Sequence, residues 1–168
     1  MFYDTSHYRK SLEPVRDDRT HALVNILPRE SKRLISKGVL AMPEVKRVLE
    51  KGWFVVSRGI TPSYILEELT EQEFDTANCT AGIITEGRMA SVLEEDRLGP
   101  WVFRDGQLDE TPAPQALSEF TAYDVSIKGA NAVDPEGNIG VFAADKAGGT
   151  VGGIWPTLTA RGAHWVAP

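Results

Sequence analysis

Cysteine is almost missing from this sequence: of 168 residues only Cys79 carries a thiol, which leaves no internal disulfide. Long apolar runs are missing too, none approaching the roughly 18 residues that a bilayer-spanning helix requires. The opening MFYDTSHYRKSLEPVRDD lacks the apolar core of a secretory signal. The three histidines, His7, His21 and His164, lie far apart without cysteine partners, so zinc-type spacing is absent. There is no Gly-x-Ser-x-Gly elbow, no Walker A loop and no G-x-G-x-x-G fingerprint. These absences argue against a disulfide scaffold, a membrane span, a zinc site and a serine hydrolase of the elbow type. A soluble, cytoplasmic protein is expected, with no metal and no cofactor.

What is present fits an ordinary globular chain. Apolar residues make up 42% and charged residues 25%, which argues against wholesale disorder. The length suits one domain by the prior of roughly 100–200 residues per domain. We expect an irregular N-terminal segment over 1–19 and a single α/β domain over 20–168. The charge is uneven: residues 1–52 carry 11 basic and 7 acidic groups, and residues 53–127 carry 4 and 14. The basic residues are interleaved with acids, as in Arg29, Glu30, Lys32 and Arg33, which reads as a solvated helix face. No nucleic-acid partner is expected.

Punctuation and periodicity give the elements. His21 to Ile26 reads as a short strand. A helix starts at Pro28 with Leu27, Leu34 and Ile35 on one side, and a second starts at Met42-Pro43 and stops before Gly52. Trp53 to Ser57 is a continuous apolar run, the pattern of a strand buried on both faces. Thr61 is a plausible cap for the helix that Pro62 begins. Cys79 to Thr85 reads as another buried strand, with Cys79 as a small hydrophobe. Trp101 to Leu108 reads as a hairpin turning at Asp105-Gly106. Ala116 to Phe120 is a helical turn, Tyr123 to Ile127 a core strand, 135–138 a turn and Ile139 to Ala143 a strand. The stretch from Ala147 to Gly153 opens a helix through Arg161, kinked or interrupted at Pro156, and Gly162 ends it before a last strand at 163–166. Alternating strands and helices predict an α/β fold, Rossmann-like, with a largely parallel sheet flanked by helices and a small β-hairpin insertion.

Three loops flank the candidate core strands: 57–63, 128–138 and 145–153. Ligands of open α/β sheets bind outside the carboxyl ends of strands, where helix N-termini favour anions. The candidate ligand-binding residues are Ser57, Gly59, Thr61, Ser63, Lys128, Gly129, Asn131, Lys146, Gly148, Gly149 and Thr150. The alternative is that the glycines serve tight turns only. Lys128 and Lys146 could meet a phosphate or carboxylate; equally, Lys128 could pair with Asp134 or Asp124 and fix its own loop. Asn131 reads either as a contact to a sugar hydroxyl or as a turn cap.

The segment WFVVSRGITPSYILEEL resembles the strand, Gly/Ser/Thr-rich loop and helix of the ribose-5-phosphate isomerase A and CoA-transferase-like superfamily. DVSIKGANAVDPEGN resembles that superfamily's second signature, a strand ending in D-G-A-D-E-x-D, and AADKAGGTVGG stands where its Gly-rich loop would follow. The likeness spans about Trp53 to Gly153. It implies a Rossmann-like domain binding a phosphorylated sugar, a nucleotide or an acyl-CoA. Lys128 and Asn131 occupy the positions of the family's two aspartates and Ala132 that of its glutamate, and only Asp134 keeps its acid. Isomerisation needs a base within reach of the substrate, so the familiar isomerase reaction is not expected. Any catalysis would rest on Asp134 as acid/base and Lys128 as electrostatic stabiliser.

Two readings of function follow: an anion-binding divergent isomerase or transferase, and a non-catalytic assembly subunit that retains the fold. The apolar end, Ala163 to Ala167, leads us to expect that a second copy, a partner subunit or further chain covers the last strand and Trp165.

Overall fold

The structure is a computed structural model that describes residues 22–168; the segment over 1–19 and His21 lie outside it. Residues 22–27 form no strand, so HALVNI is not one. The elements run α1 (Pro28–Ala41), α2 (Pro43–Glu50), β1 (Trp53–Val56), α3 (Ile60–Thr70), β2 (Gly82–Thr85) and β3 (Arg88–Ser91), then a short 3₁₀ turn (Glu94–Asp96). They continue with β4 (Trp101–Arg104), β5 (Gln107–Asp109), α4 (Ala113–Ser118), β6 (Val125–Ile127), β7 (Ala132–Val133), β8 (Ile139–Gly140), α5 (Gly149–Arg161) and β9 (His164–Val166). No helix among the described residues is long and apolar enough to cross a membrane.

The fold is mixed α/β. Five strands form one sheet in the order β5-β4-β1-β6-β9. Within it β1, β6 and β9 are parallel, while β4 and β5 add an antiparallel hairpin on the β1 side. Parallel pairing therefore joins three of the five strands, and the sheet is mixed rather than largely parallel. The hairpin stands where Asp105-Gly106 placed it, with both residues at positive φ, 50° and 76°, as a two-residue turn matched to strand twist requires.

The β1 run WFVV explains the layering. Alternate side chains of a strand point to opposite faces. Phe54 and Val56 pack with Val39, Val45 and Val48 of α1 and α2, and with Ile65 and Leu66 of α3. Trp53 and Val55 face the other way, onto Ala116 and Leu117 of α4 and Ile154 and Leu158 of α5. Helices thus cover both faces, and each fully buried aliphatic side chain contributes about 1.5–3 kcal/mol.

Several sequence expectations shift. The apolar CTAGIIT is no core strand: β2 pairs only with β3, in a separate ribbon that leaves Ile84 66% exposed. Ile139 to Ala143 shortens to β8, paired with β7 in a second ribbon. The helix α3 begins before Pro62, with Gly59 rather than Thr61 as its N-cap residue. α5 runs through Pro156 and stops at Gly162 in the left-handed region, as expected of a C-terminal glycine.

Candidate functional site

The loops after β1 and β6 come together because those strands are parallel neighbours. Ser57 donates its backbone N–H to the Ile127 carbonyl at 2.9 Å, extending the ladder past both strand ends. A Cβ built on Gly129 would lie 3.7 Å from Pro62 Cδ, so the chain after Lys128 rests on the first turn of α3. Thr61, half-buried, is in that same turn.

Lys128 is the charged group at this junction. Its side chain is half-buried, and Nζ donates to the Gly129 carbonyl at 3.0 Å. No acidic partner faces it among the described residues, so neither anticipated pairing, with Asp134 or with Asp124, is formed. Burial holds the ammonium below the ordinary lysine value, because a desolvated cation loses hydration that a single carbonyl contact replaces only in part. Trp165 fixes the backbone beneath it, donating Nε1–H to the Lys128 carbonyl at 3.0 Å.

The other candidates are engaged elsewhere. Gly59 donates its N–H to the Cys79 carbonyl at 2.6 Å, leaving that donor closed to an anion. Ser63 is fully buried and donates its hydroxyl to the Ile60 carbonyl at 2.7 Å. Asn131 acts as a local cap, its Oδ1 accepting from the Phe142 amide at 2.8 Å. Asp134 is exposed and closes its own turn: Oδ1 accepts from the amides of Glu136 and Asn138, and Oδ2 from the Asn138 side chain at 2.7 Å. Hydrogen bonds from Asn138 hold its carboxyl below the ordinary aspartate value, which makes it a weaker base.

The third loop leads into the other helix layer. α3 packs on one face of the sheet and α5 on the other, so the stretches at 57–63 and 146–150 lead into opposite layers. Lys146 and Thr150 are exposed. The glycines here have local reasons: Gly148 and Gly149 take φ of 80° and 56°, and a Cβ on Gly152 would fall 1.6 Å from the Ala147 carbonyl oxygen.

Arg33 and Asp124 play parts other than the solvated face and the Lys128 partner expected of them, and Ser126 escaped the sequence reading. Arg33 of α1 bridges Glu67 and Glu68 of α3 and lies over the Tyr64 ring at 4.8 Å. Only Glu67, a carboxylate within the apolar run SYILEEL, signalled a need for such a cation. Asp124 is buried beneath the sheet, where Oδ1 accepts from the Trp53 amide at 2.7 Å and Oδ2 from the Thr121 hydroxyl at 2.8 Å. Ser126 is fully buried, and its hydroxyl has no partner among the described residues. A cleft of 330 Å³ lies between Arg29, Tyr64, Glu67 and Asp75, away from every anticipated site residue. No cluster of metal-ligating side chains occurs among the described residues.

The remaining expectations concern the end of the chain. Cys79 is buried, and burial pushes its thiol up to about 11, as an inert side chain requires. Trp165 is half-buried with Trp155 packed edge-on at 5.4 Å, so the chain's own residues supply part of the cover sought for β9.

Comparison of the chain with family models, with curated proteins and with solved structures finds no match in any of the three.

Proposed function

We propose that the chain binds an anionic small molecule, a phosphorylated sugar, nucleotide or acyl-CoA, at the carboxyl ends of β1 and β6. One observation carries the reading: Lys128 is a half-buried ammonium with no acidic partner among the described residues, beside the first turn of α3. An uncompensated cation in a partly desolvated place gains most from an anion. The half-buried N-terminal end of α3 adds a favourable dipole, and Thr61 a hydroxyl. The parallel strands β1, β6 and β9 with helices on both faces support the Rossmann-like reading and the superfamily resemblance. Lys146, Gly148, Gly149 and Thr150 belong to a different layer and are left out of this site.

A second reading, an assembly subunit without catalysis, is favoured by Asp134 and Asn131, whose side chains are bound within their own hairpin.

Thermal unfolding with inorganic phosphate, ribose 5-phosphate, a nucleotide and coenzyme A tests the binding site. A ligand that binds only the native state raises its stability in a saturable way. The wild type should respond to at least one of the four and Lys128→Met to none. The sign for the ligand-free variant is also fixed. The folded lysine value lies below the ordinary 10.5, so the unfolded state binds more protons and stability falls as pH drops toward the folded value. Removing the charge therefore leaves Tm at pH 7 unchanged or raised. Equal responses of both proteins to the anion would defeat the proposal.

A further inference from the structure

We infer that two copies of this chain pair through the outer face of α1, antiparallel about a two-fold axis. The inference is independent of the ligand site.

The helix packs Val39 and Leu40 on its own core and leaves a second apolar side facing outward. Its buried residues are Ser36 and Val39, while Leu27 is 65%, Leu34 63% and Ile35 39% exposed. At about 100° per residue, Leu27, Leu34, Gly38 and Ala41 fall on one stripe opposite Ser36. An apolar stripe on a helix normally faces its packing partner, and none of the described residues covers this one. Gly38 lies in the stripe with no atom within 4 Å of a Cβ built on it. A helix-interior glycine costs roughly 0.5–1 kcal/mol relative to alanine, and no neighbour among the described residues calls for it. Close approach of a second helix does.

The face is complementary to itself. An antiparallel arrangement centred on Leu34 sets Leu27 of each copy against Ala41 of the other, large on small, with Leu34 meeting Leu34 on the axis. Such a contact is isologous, each half supplying what the other lacks. The same operation brings Glu30 of one copy beside Lys37 of the other, opposite charges on the rim. Lys37 is exposed and has no acidic partner among the described residues. Glu30 keeps one oxygen for this role, its Oε2 accepting from the Leu27 amide at 2.7 Å. A lipid surface fits less well, because the Glu30 carboxylate lines the same hollow as Leu34 and Lys37 on this face.

Sedimentation of the full chain over a range of concentrations, with cysteine cross-linking, tests the pairing. The wild type should reach twice the mass of one chain, and Leu34→Glu should stay at one while keeping its helical circular dichroism. Helices whose axes lie 8–10 Å apart bring facing Cα atoms within disulfide range. Mild oxidation of Leu34→Cys should therefore give a covalent dimer through position 34, whereas Lys32→Cys, on the side toward the core, should not. The buried native thiol makes the wild type a blank for this reaction. The cross-link keeps the test decisive if Leu34→Glu fails to fold. A wild type that stays monomeric at every concentration overturns the inference, as does failure of the position-34 cross-link. If the monomer binds anionic vesicles, the stripe belongs to lipid. If a thiol at position 34 is shielded in a monomer, residues 1–21 are the occupant, and the inference fails equally.

Discussion

Asp124 organises more backbone than any other buried carboxylate described here. One oxygen takes the Trp53 amide, the other takes the amide and hydroxyl of Thr121, and its own carbonyl accepts from His164. It thereby ties the entry of β1 to the entries of β6 and β9. Gly52 completes the fit: at φ 138° a Cβ there would fall 2.7 Å from the Asp124 carboxylate. Truncating the acid strands the buried Trp53 amide, worth about 1–3 kcal/mol when left unsatisfied, and frees the two part-buried donors of Thr121. Asp124→Ala is expected to lose about 2–4 kcal/mol in urea unfolding. A loss under 0.5 kcal/mol would mean that water replaces the carboxylate at little cost.

The two small ribbons owe their form to single turns. In β7–β8 the turn is closed by Asp134, whose carboxyl is depressed by Asn138, first through the side-chain amide and then through the backbone. A depressed folded value means that the contribution is complete above the ordinary 3.8 and is lost as pH falls through the folded value. The Asn138 amide resonance should therefore titrate with a midpoint below 3.8, and Asp134→Asn should remove that titration. A midpoint at or above 3.8 would show the turn to be open in solution. The turns at Asp105-Gly106 and at 135–138 were legible in the sequence because their chemistry is local. The β2–β3 turn was missed, although Glu86 and Gly87 take φ of 50° and 72°, because Glu-Gly is a weaker turn signal than Asn-Gly or Asp-Gly. The apolar run CTAGIIT then suggested burial that its short ribbon does not provide. In α1 the period grouped Leu27, Leu34 and Ile35 on one side, but periodicity does not say what faces that side, and in the fold it is exposed.

At the scale of the molecule, the sequence order of strands hides their spatial order. β4 follows α3 in the chain yet pairs antiparallel with β1, and β6, far along the sequence, takes the other side of β1. Nothing local encodes that choice; it comes from which strand can bury both faces, and WFVV can. The same placement separates the Gly-rich start of α5 from the loop after β1, which loop composition alone cannot show. Lys128 was legible as a candidate, while its isolation from acids depends on Asp124 and Asp134 being bound elsewhere. Burial on both faces also sets the order of local opening. β1 is the one strand whose side chains enter both apolar layers along its whole length, so exposing its amides requires both helix layers to leave. The β2–β3 ribbon leans on neither sheet face and leaves Ile84 and Met89 exposed. Cooperative units with few buried contacts open at low free energy, whereas core strands open only near the global value. Native-state hydrogen exchange should thus find the amides of Phe54, Val55 and Val56 slower than those of Ile83, Ile84 and Ala90 by about 100-fold or more. Equal protection in the two sets would place the ribbon inside the cooperative core, and the two-layer account of stability would fall with it.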